Sequence, residues 1–385
     1  MPDEIRIDGT CDERFTRVAD AFRQNFIAGR EVGASLTVIH AGETVVDLWA
    51  GYANAAHTRT WERDTLVNVF STTKLVTAVC ILLLADRGRI DLDAPLAKYW
   101  PEFTSHGKHK ILVRQVLSHT AGLPRFTPRI SFDDLYDWDK ITQLLEAEEP
   151  WWEPGTKLGY HTLTYGYLLG EVVHRVTGKT LGQFLHNEIT VPFGIDFFIG
   201  LPEKEESRVA EIVAEQGKLS PLGLTLLKLL FPTAMKIAAN PALDSMNFNS
   251  RACHSAEIPA GNGMGNARSV ARLGSILANG GTYNGKQILS RQMVEQAIQE
   301  HSRGRDAVAF GRPSAWGLGV LLLNKDLLLG PRSFYATGLG GSVCVMDLER
   351  NVTLAYVMNK MAELSEGDSR SIPLVQRLWE CLPEK

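Results

Sequence analysis

The chain has 385 residues, 44% of them apolar and 22% charged, with a formal net charge of −4. That length can bury a large core in two lobes, and so slight a charge gives no electrostatic case for nucleic acid or an anionic membrane surface. No run reaches the roughly eighteen apolar residues of a spanning helix, so stable membrane insertion is not expected. The start, Met1 to Arg6, is acidic and lacks the basic-then-apolar plan of a secretory signal. Five scattered cysteines (Cys11, Cys80, Cys253, Cys344, Cys381) form no Cys-x-x-Cys pair, which argues for reduced thiols and a cytoplasmic setting.

Residues 12–29 carry Phe15, Val18, Ala21, Phe22 and Phe26 at helical spacing and predict an amphipathic helix. Ala34 to His40, a turn at Gly42, and Thr44 to Trp49 read as a β-hairpin. Leu75 to Ala85 is apolar almost all round and stops at Arg87-Gly88-Arg89, the pattern of a helix buried in a core. Residues 96–255 read as short helices and loops, among them Ile111 to Ser118 and Tyr165 to Val176, the latter closed by Gly178. After Gly261 to Gly265 comes a helix from Ser269 to Ala278. Strands return at Trp316–Leu322, Phe334–Ala336, Val343–Asp347 and Val352–Met358, and a last helix runs through Val375 and Trp379. Strands at both ends of the chain most economically join one antiparallel sheet flanked by helices, an α/β (α+β) arrangement. The expected organisation is an α/β lobe from 1–98 with 256–385, a mainly helical lobe from 99–255, and a site in the cleft between them.

One stretch carries chemistry. In Ser71-Thr72-Thr73-Lys74, the serine sits at the mouth of the buried helix and the lysine, three residues on, shares its face. A serine hydroxyl attacks only when something takes its proton, and an amine in a dry pocket loses its charge readily enough to help. The pattern alone is common. A second copy, Ser105-His106-Gly107-Lys108, has no apolar helix behind it and reads as a solvated loop.

Three stretches in order then resemble a family. They are Ser71 to Lys74, Pro154-Gly155-Thr156 with Gly159-Tyr160-His161-Thr162, and Ala336-Thr337-Gly338-Leu339-Gly340-Gly341-Ser342. With Leu117 to Leu123 and Tyr165 to Val173 as flanks, their order and spacing resemble class C serine β-lactamases, penicillin-binding DD-peptidases and, most closely, family VIII carboxylesterases. The resemblance spans roughly residues 12–380 and implies a β-lactamase-like fold. It implies catalysis by Ser71, Lys74 and Tyr160, with Ser71 as nucleophile, Tyr160 exchanging its proton and Lys74 lowering the tyrosine's pKa. A phenol near pKa 10 needs such a neighbour to act as a base at pH 7. The oxyanion hole implied is the backbone N–H of Ser71 and of Leu339, with glycines at 338, 340 and 341 bringing the backbone close to substrate.

Two departures bear on the substrate. Thr162 stands where a lactamase-type second motif ends in Asn, and Ala336 where the third motif opens with Lys or His. A substrate carboxylate thus loses its expected cationic partner, which favours neutral esters of short to medium acyl chains over β-lactams or D-Ala-D-Ala. The expected partner is a small-molecule ester, with β-lactamase, DD-peptidase, acyltransferase and catalytically silent binding protein as rivals. Phe126, Trp152, His161, Phe248 and Gly338 are placed at the substrate, although aromatics are also plain core. His161, next to Tyr160, reads as an ordinary polar histidine and not as a triad base. His106 and His109 lie in a charged loop without a completing ligand set, so no metal and no cofactor are expected. The apolar segment 219–243 reads as a lid over an acyl pocket, as a patch contacting membrane or partner, or equally as a helix packed on the middle lobe. Monomer versus homodimer stays open.

Overall fold

The computed structural model describes residues 5–213, 235–237, 239–242, 247–322, 324–327, 330–362 and 369–383. Its centre is a six-stranded antiparallel sheet. The strands are β1 (Ile7–Cys11), β2 (Gly33–His40), β3 (Glu43–Gly51), β4 (Ser333–Thr337), β5 (Val343–Asp347) and β6 (Val352–Met358), in the order β1-β3-β2-β6-β5-β4. The two ends of the chain meet where β2 pairs with β6, from Ala34 opposite Met358 to His40 opposite Val352. β2 is buried along seven of its eight residues because both faces of the sheet are covered, which is why it reads as a continuous apolar run.

One face carries α1 (Thr16–Ile27) and α6 (Ser371–Cys381). Phe15, Val18 and Phe22 pack there with Leu36, Val38, Val345, Tyr356 and Leu378. The other face carries α5 (Ala267–Ala278), which lies so close that a Cβ on Gly274 would stand 2.6 Å from Cys344 Sγ. Behind it, α2 (Thr73–Asp86) is buried from Thr73 to Leu84, as its apolar circumference predicts. It packs against α4 (Thr164–Thr177), whose end at Gly178 adopts the left-handed φ of +71° that terminates many helices. α3 (Trp138–Ala147) packs on α4 in turn.

Four expectations change. The strand expected over Trp316–Leu322 ends early, at Pro313–Trp316, and the chain bends before Leu321 bridges to Tyr335. The bend puts Gly319, at φ +83°, against α2, where a Cβ would stand 2.3 Å from that of Ala78. α5 starts at Ala267 because Asn266 and Ser269 cap it reciprocally, each side chain accepting from the other's backbone N–H at 2.9 Å. β1 carries no alternating pattern and was not expected; Gly9 lets it approach β3, where a Cβ would stand 2.0 Å from the Asp47 carbonyl oxygen.

The fourth change concerns Ser105–Lys108, which is no solvated loop. Lys108 is fully buried, and its ammonium donates to Ser105 Oγ at 2.7 Å, to the Glu146 carbonyl at 3.0 Å and to the Glu148 carbonyl. It thereby neutralises the carbonyl end of α3. Of the apolar segment 219–243, only 235–237 and 239–242 are described, so the choice among lid, contact patch and packed helix lies outside the described residues. Among the described residues no helix is long and apolar enough to cross a membrane, and no cluster of His, Cys, Asp and Glu could hold a metal.

Candidate active site

Ser71 lies on a tight 3-10 turn, Phe70–Thr72, that feeds α2. The residue before it, Phe70, sits at φ +48°, a left-handed conformation that is costly for a bulky side chain. Neighbouring groups hold it there. Phe70 N donates to Asn68 Oδ1 at 2.8 Å, Thr73 Oγ1 donates to the Phe70 carbonyl at 2.5 Å, and Gly263 N donates to Thr73 Oγ1 at 2.8 Å. The third motif is tied to the same turn: Ser342 Oγ donates to the Val69 carbonyl at 2.7 Å and lies 3.0 Å from Thr72 Oγ1.

Lys74 is buried, and its Nζ stands 3.2 Å from Ser71 Oγ. It also donates to the carbonyls of Thr162 and Ala260, each at 2.8 Å. Burial pushes its pKa well below that of a free lysine. A neutral amine has two N–H groups and one lone pair. The two carbonyls take both N–H groups, so in that state the lone pair faces the serine hydroxyl.

The Tyr160 ring centroid lies 4.8 Å from Lys74 Nζ. The ring stacks on Trp316 at 5.8 Å and touches His119 at 4.8 Å. Its backbone N–H donates to Asp306 Oδ1 at 3.1 Å, an oxygen that also takes the N–H groups of Val308 and Ala309. A buried carboxylate thus fastens the Tyr160 backbone to the 306–309 turn.

Two amides face no partner. Around Ser71, Phe70 N and Thr72 N are engaged; around Leu339, Gly338 N donates to the Ser342 carbonyl and Gly341 N to that of Gly338. Among the described residues the Ser71 and Leu339 N–H groups make no hydrogen bond, and both residues line one cavity of about 350 Å³. Phe70, Phe126, Phe132, Phe248 and Ile258 give it an apolar wall, and Lys74, Tyr160 and Asp306 line it too.

The structure corrects part of the expected substrate contacts. Phe126, Phe248 and Gly338 line the cavity; Trp152 and His161 do not. His161 is fully buried, its Nδ1–H donating to the Gly159 carbonyl at 2.7 Å and its Nε2 accepting from Leu123 N at 3.1 Å. Burial lowers its pKa to about 4 and keeps it neutral. Trp152 packs on Gly159, where a Cβ would meet its ring at 2.4 Å. Gly338 has a different reason from the one expected: a Cβ there would stand 2.3 Å from the Val69 carbonyl oxygen, so it lets the third motif close on the Ser71 turn. Ala336 does remove a cation, yet Arg125 and Arg312 also line the cavity. Arg125 is engaged by the carbonyls of Phe126 and Lys236, whereas Arg312 is exposed.

The family profile described as Beta-lactamase matches residues 18–376. The chain belongs to the beta-lactamase family. It is similar to the esterase/beta-lactamase LipL of Mycobacterium tuberculosis, 35% identical over 378 residues that span 92% of this chain and 83% of that protein. Among solved structures it resembles a family VIII carboxylesterase, with a TM-score of 0.90 and 40% identity over 98% of this chain and 100% of the other. A penicillin-binding protein homologue from Caulobacter crescentus gives a TM-score of 0.88 and 36% identity at the same coverage. The fold is the β-lactamase-like fold, and the family is one of serine hydrolases.

In this beta-lactamase-family chain, several groups that shape the site carry little signal in the sequence. His119 was seen only as part of a flanking stretch, yet its Nδ1 accepts the His161 N–H at 3.0 Å and its ring meets Trp316 at 4.2 Å. The carbonyls of Thr162 and Ala260 carry no side-chain signal. Asp306 had only the short Asp-Ala-Val turn to mark it.

Proposed function

We propose that this protein is a carboxylesterase that hydrolyses short- to medium-chain acyl esters through an acyl-enzyme on Ser71. The observation that carries the reading is the buried Lys74 amine, with two carbonyls on its N–H groups and Ser71 Oγ at 3.2 Å. In this reading Ser71 Oγ attacks the ester carbonyl while its proton passes to Lys74 Nζ, 3.2 Å away, and not first to Tyr160 as the resemblance implies. The carbonyl oxygen gains charge between the Ser71 and Leu339 N–H groups, donors that need no reorganisation to receive it. As the C–O bond breaks, Tyr160 gives its phenolic proton to the departing alcohol. The new ammonium of Lys74 favours the resulting phenolate and returns the proton to it. Water repeats the sequence: it attacks the acyl carbon, its proton passes through the same pair, and Ser71 recovers a proton as the acid leaves.

Lys74 and Tyr160 therefore act as one unit that is short of a proton, as amine with phenol or as ammonium with phenolate. Burial favours the first at rest. The apolar wall of Phe126, Phe132 and Phe248 suits the acyl chain, and the uncharged Ala336 suits a neutral ester. A second reading, β-lactam hydrolysis, has the exposed Arg312 on the cavity wall in its favour, together with the name of the relative LipL.

In this reading the lobes are 1–98 with 256–385 and 99–255, and the cavity lies between them. Phe126, Phe132 and Phe248 line the cavity from 99–255, while Ser71 and Ala336 line it from the other lobe. The free cysteines support a cytoplasmic setting.

Intact-protein mass spectrometry after brief exposure to p-nitrophenyl butyrate, and separately to a cephalosporin, tests the proposal. An adduct of butyryl mass in the wild type and none in Ser71→Ala is expected, with the ester consumed faster than the cephalosporin. An adduct that survives Ser71→Ala would sink the assignment of the nucleophile, and faster loss of the cephalosporin would select the second reading.

A further inference from the structure

The turn that carries Leu339 is held from its far side by a group remote from the cavity. Arg370 immediately precedes α6 and is 2% exposed. Its guanidinium donates to the Gly340 carbonyl and, at 2.8 Å, to the Lys360 carbonyl, and it pairs with Glu31 at 3.4 Å. The Asn25 side chain donates to the Arg370 carbonyl at 3.2 Å and anchors the residue to α1. Gly340 accepts a second hydrogen bond, from Ala362 N at 3.1 Å, and its φ of +82° makes the turn sharp enough to present Leu339 N–H to the cavity.

An arginine is an expensive way to fill a core. It carries a fixed charge whose desolvation must be offset by good geometry, and an apolar side chain of similar volume often serves stability as well. Its rigid planar fork does what an apolar group does not, joining Glu31, Gly340 and Lys360 from separate segments. The inner side of the turn is closed by its own hydrogen bonds, Gly338 N to the Ser342 carbonyl and Gly341 N to that of Gly338. Among the described residues, the outer side is held by Arg370 and Ala362.

We propose that Arg370 is a positioning residue for acyl transfer, fixing the Gly340 carbonyl and through it the aim of the Leu339 N–H at the developing oxyanion. This rests on the acyl-serine reading above. Loss of aim by a fraction of an ångström weakens a donor in the transition state more than in the bound substrate. The signature is therefore a fall in kcat with KM unchanged.

Arg370→Lys keeps the charge beside Glu31 and loses the fork. Glu31→Gln loses the ion pair and keeps the fork on Gly340. With p-nitrophenyl butyrate, Arg370→Lys is expected to lose about 10- to 30-fold in kcat, with KM within about twofold, and phenylboronic acid, which adds to serine as a tetrahedral anion, is expected to bind correspondingly more weakly. Glu31→Gln is expected to stay within about threefold in kcat while its Tm falls. If Arg370→Lys does not fold, the double variant Glu31→Ala/Arg370→Ala, which buries no lone charge, is assayed with added methylguanidinium. Recovery of kcat at constant KM supports the proposal.

Unchanged kcat in Arg370→Lys, kcat losses that merely track the folded fraction in both single variants, or no recovery by methylguanidinium would overturn it. Ser71→Ala, run alongside, separates the two layers. An acyl adduct without Ser71 defeats the acyl-serine reading, whereas a Ser71-dependent adduct with a fully active Arg370→Lys defeats only the role of Arg370.

Discussion

The chain contains the Ser-x-x-Lys pattern twice, and the two copies are geometrically near twins. Lys74 and Lys108 are both buried, stand 3.2 Å and 2.7 Å from the serine three residues before, and each donate to two backbone carbonyls. Their surroundings set them apart. Desolvation alone acts on Lys74 and takes its pKa well below the ordinary lysine range. Burial also lowers Lys108, but the charges of Glu148, Glu146 and Glu149 oppose it and leave it at about 8. Ser71 opens on the cavity, while Ser105 Oγ donates to the Glu146 carbonyl and has no proton to give away. A serine–lysine contact is thus common to a reactive centre and to a helix-end clasp. The neighbouring charges and the access to substrate decide between them.

The largest effect that would break this comparison lies at Lys74. Lys74→Ala is expected to lower kcat by about 10²- to 10⁴-fold, the range spanned by a lost general base, in steady-state assays with p-nitrophenyl butyrate. Lys108→Met should leave kcat within about twofold; a loss comparable to that of Lys74→Ala would erase the distinction. Next comes Tyr160→Phe, which keeps the ring stacked on Trp316 and removes only the hydroxyl. A fall of about 10²-fold or more in kcat with unchanged Tm is expected, and near-normal turnover would remove Tyr160 from the mechanism.

The smallest effects concern Lys108 and stability. Removing its ammonium leaves the buried carbonyls of Glu146 and Glu148 with a donor fewer, at a cost of about 1–3 kcal/mol, read as a lower midpoint in urea. The pH dependence has a definite sign. The folded pKa of about 8 lies below the unfolded value, so the unfolded chain binds more protons between the two. Lys108 therefore contributes stability that rises with pH from about 8 to about 10.4. Lys108→Met should flatten that part of the urea midpoint against pH, and an unchanged slope would show that Lys108 does not titrate there.

Much of this architecture was legible because it rests on side-chain pattern. The all-round apolar stretch from Leu75 to Ala85 announced a buried helix, and the paired runs at 34–49 and 343–358 announced a sheet built from both chain ends. The family resemblance pointed to Ser71, Lys74 and Tyr160 together, and all three line one cavity. What escaped reading depends on backbone or on distant partners. Ile7–Cys11 is a strand because an open edge of β3 receives it, with glycine at the point of contact. Lys108 looked solvated because the two carbonyls that bury it lie on a helix about 40 residues away. His161 adjoins Tyr160 in sequence and Trp152 reads as an aromatic pocket wall, which suggested substrate contact. Neither lines the cavity: Trp152 packs on Gly159 and His161 is buried against the Gly159 carbonyl and Leu123 N, a distinction that only the third dimension makes.

The claim that most needs testing is that a buried, uncharged Lys74 takes the proton of Ser71. The direct measurement is the pre-steady-state burst of p-nitrophenol as a function of pH, in the wild type and in Lys74→Ala. The account predicts a burst rate that is sustained at neutral pH and falls on the acid side as Lys74 gains its proton, with that limb and most of the burst absent from the variant. A burst that appears only as pH approaches the ordinary lysine range, or one whose rate and acid limb survive in Lys74→Ala, would contradict it.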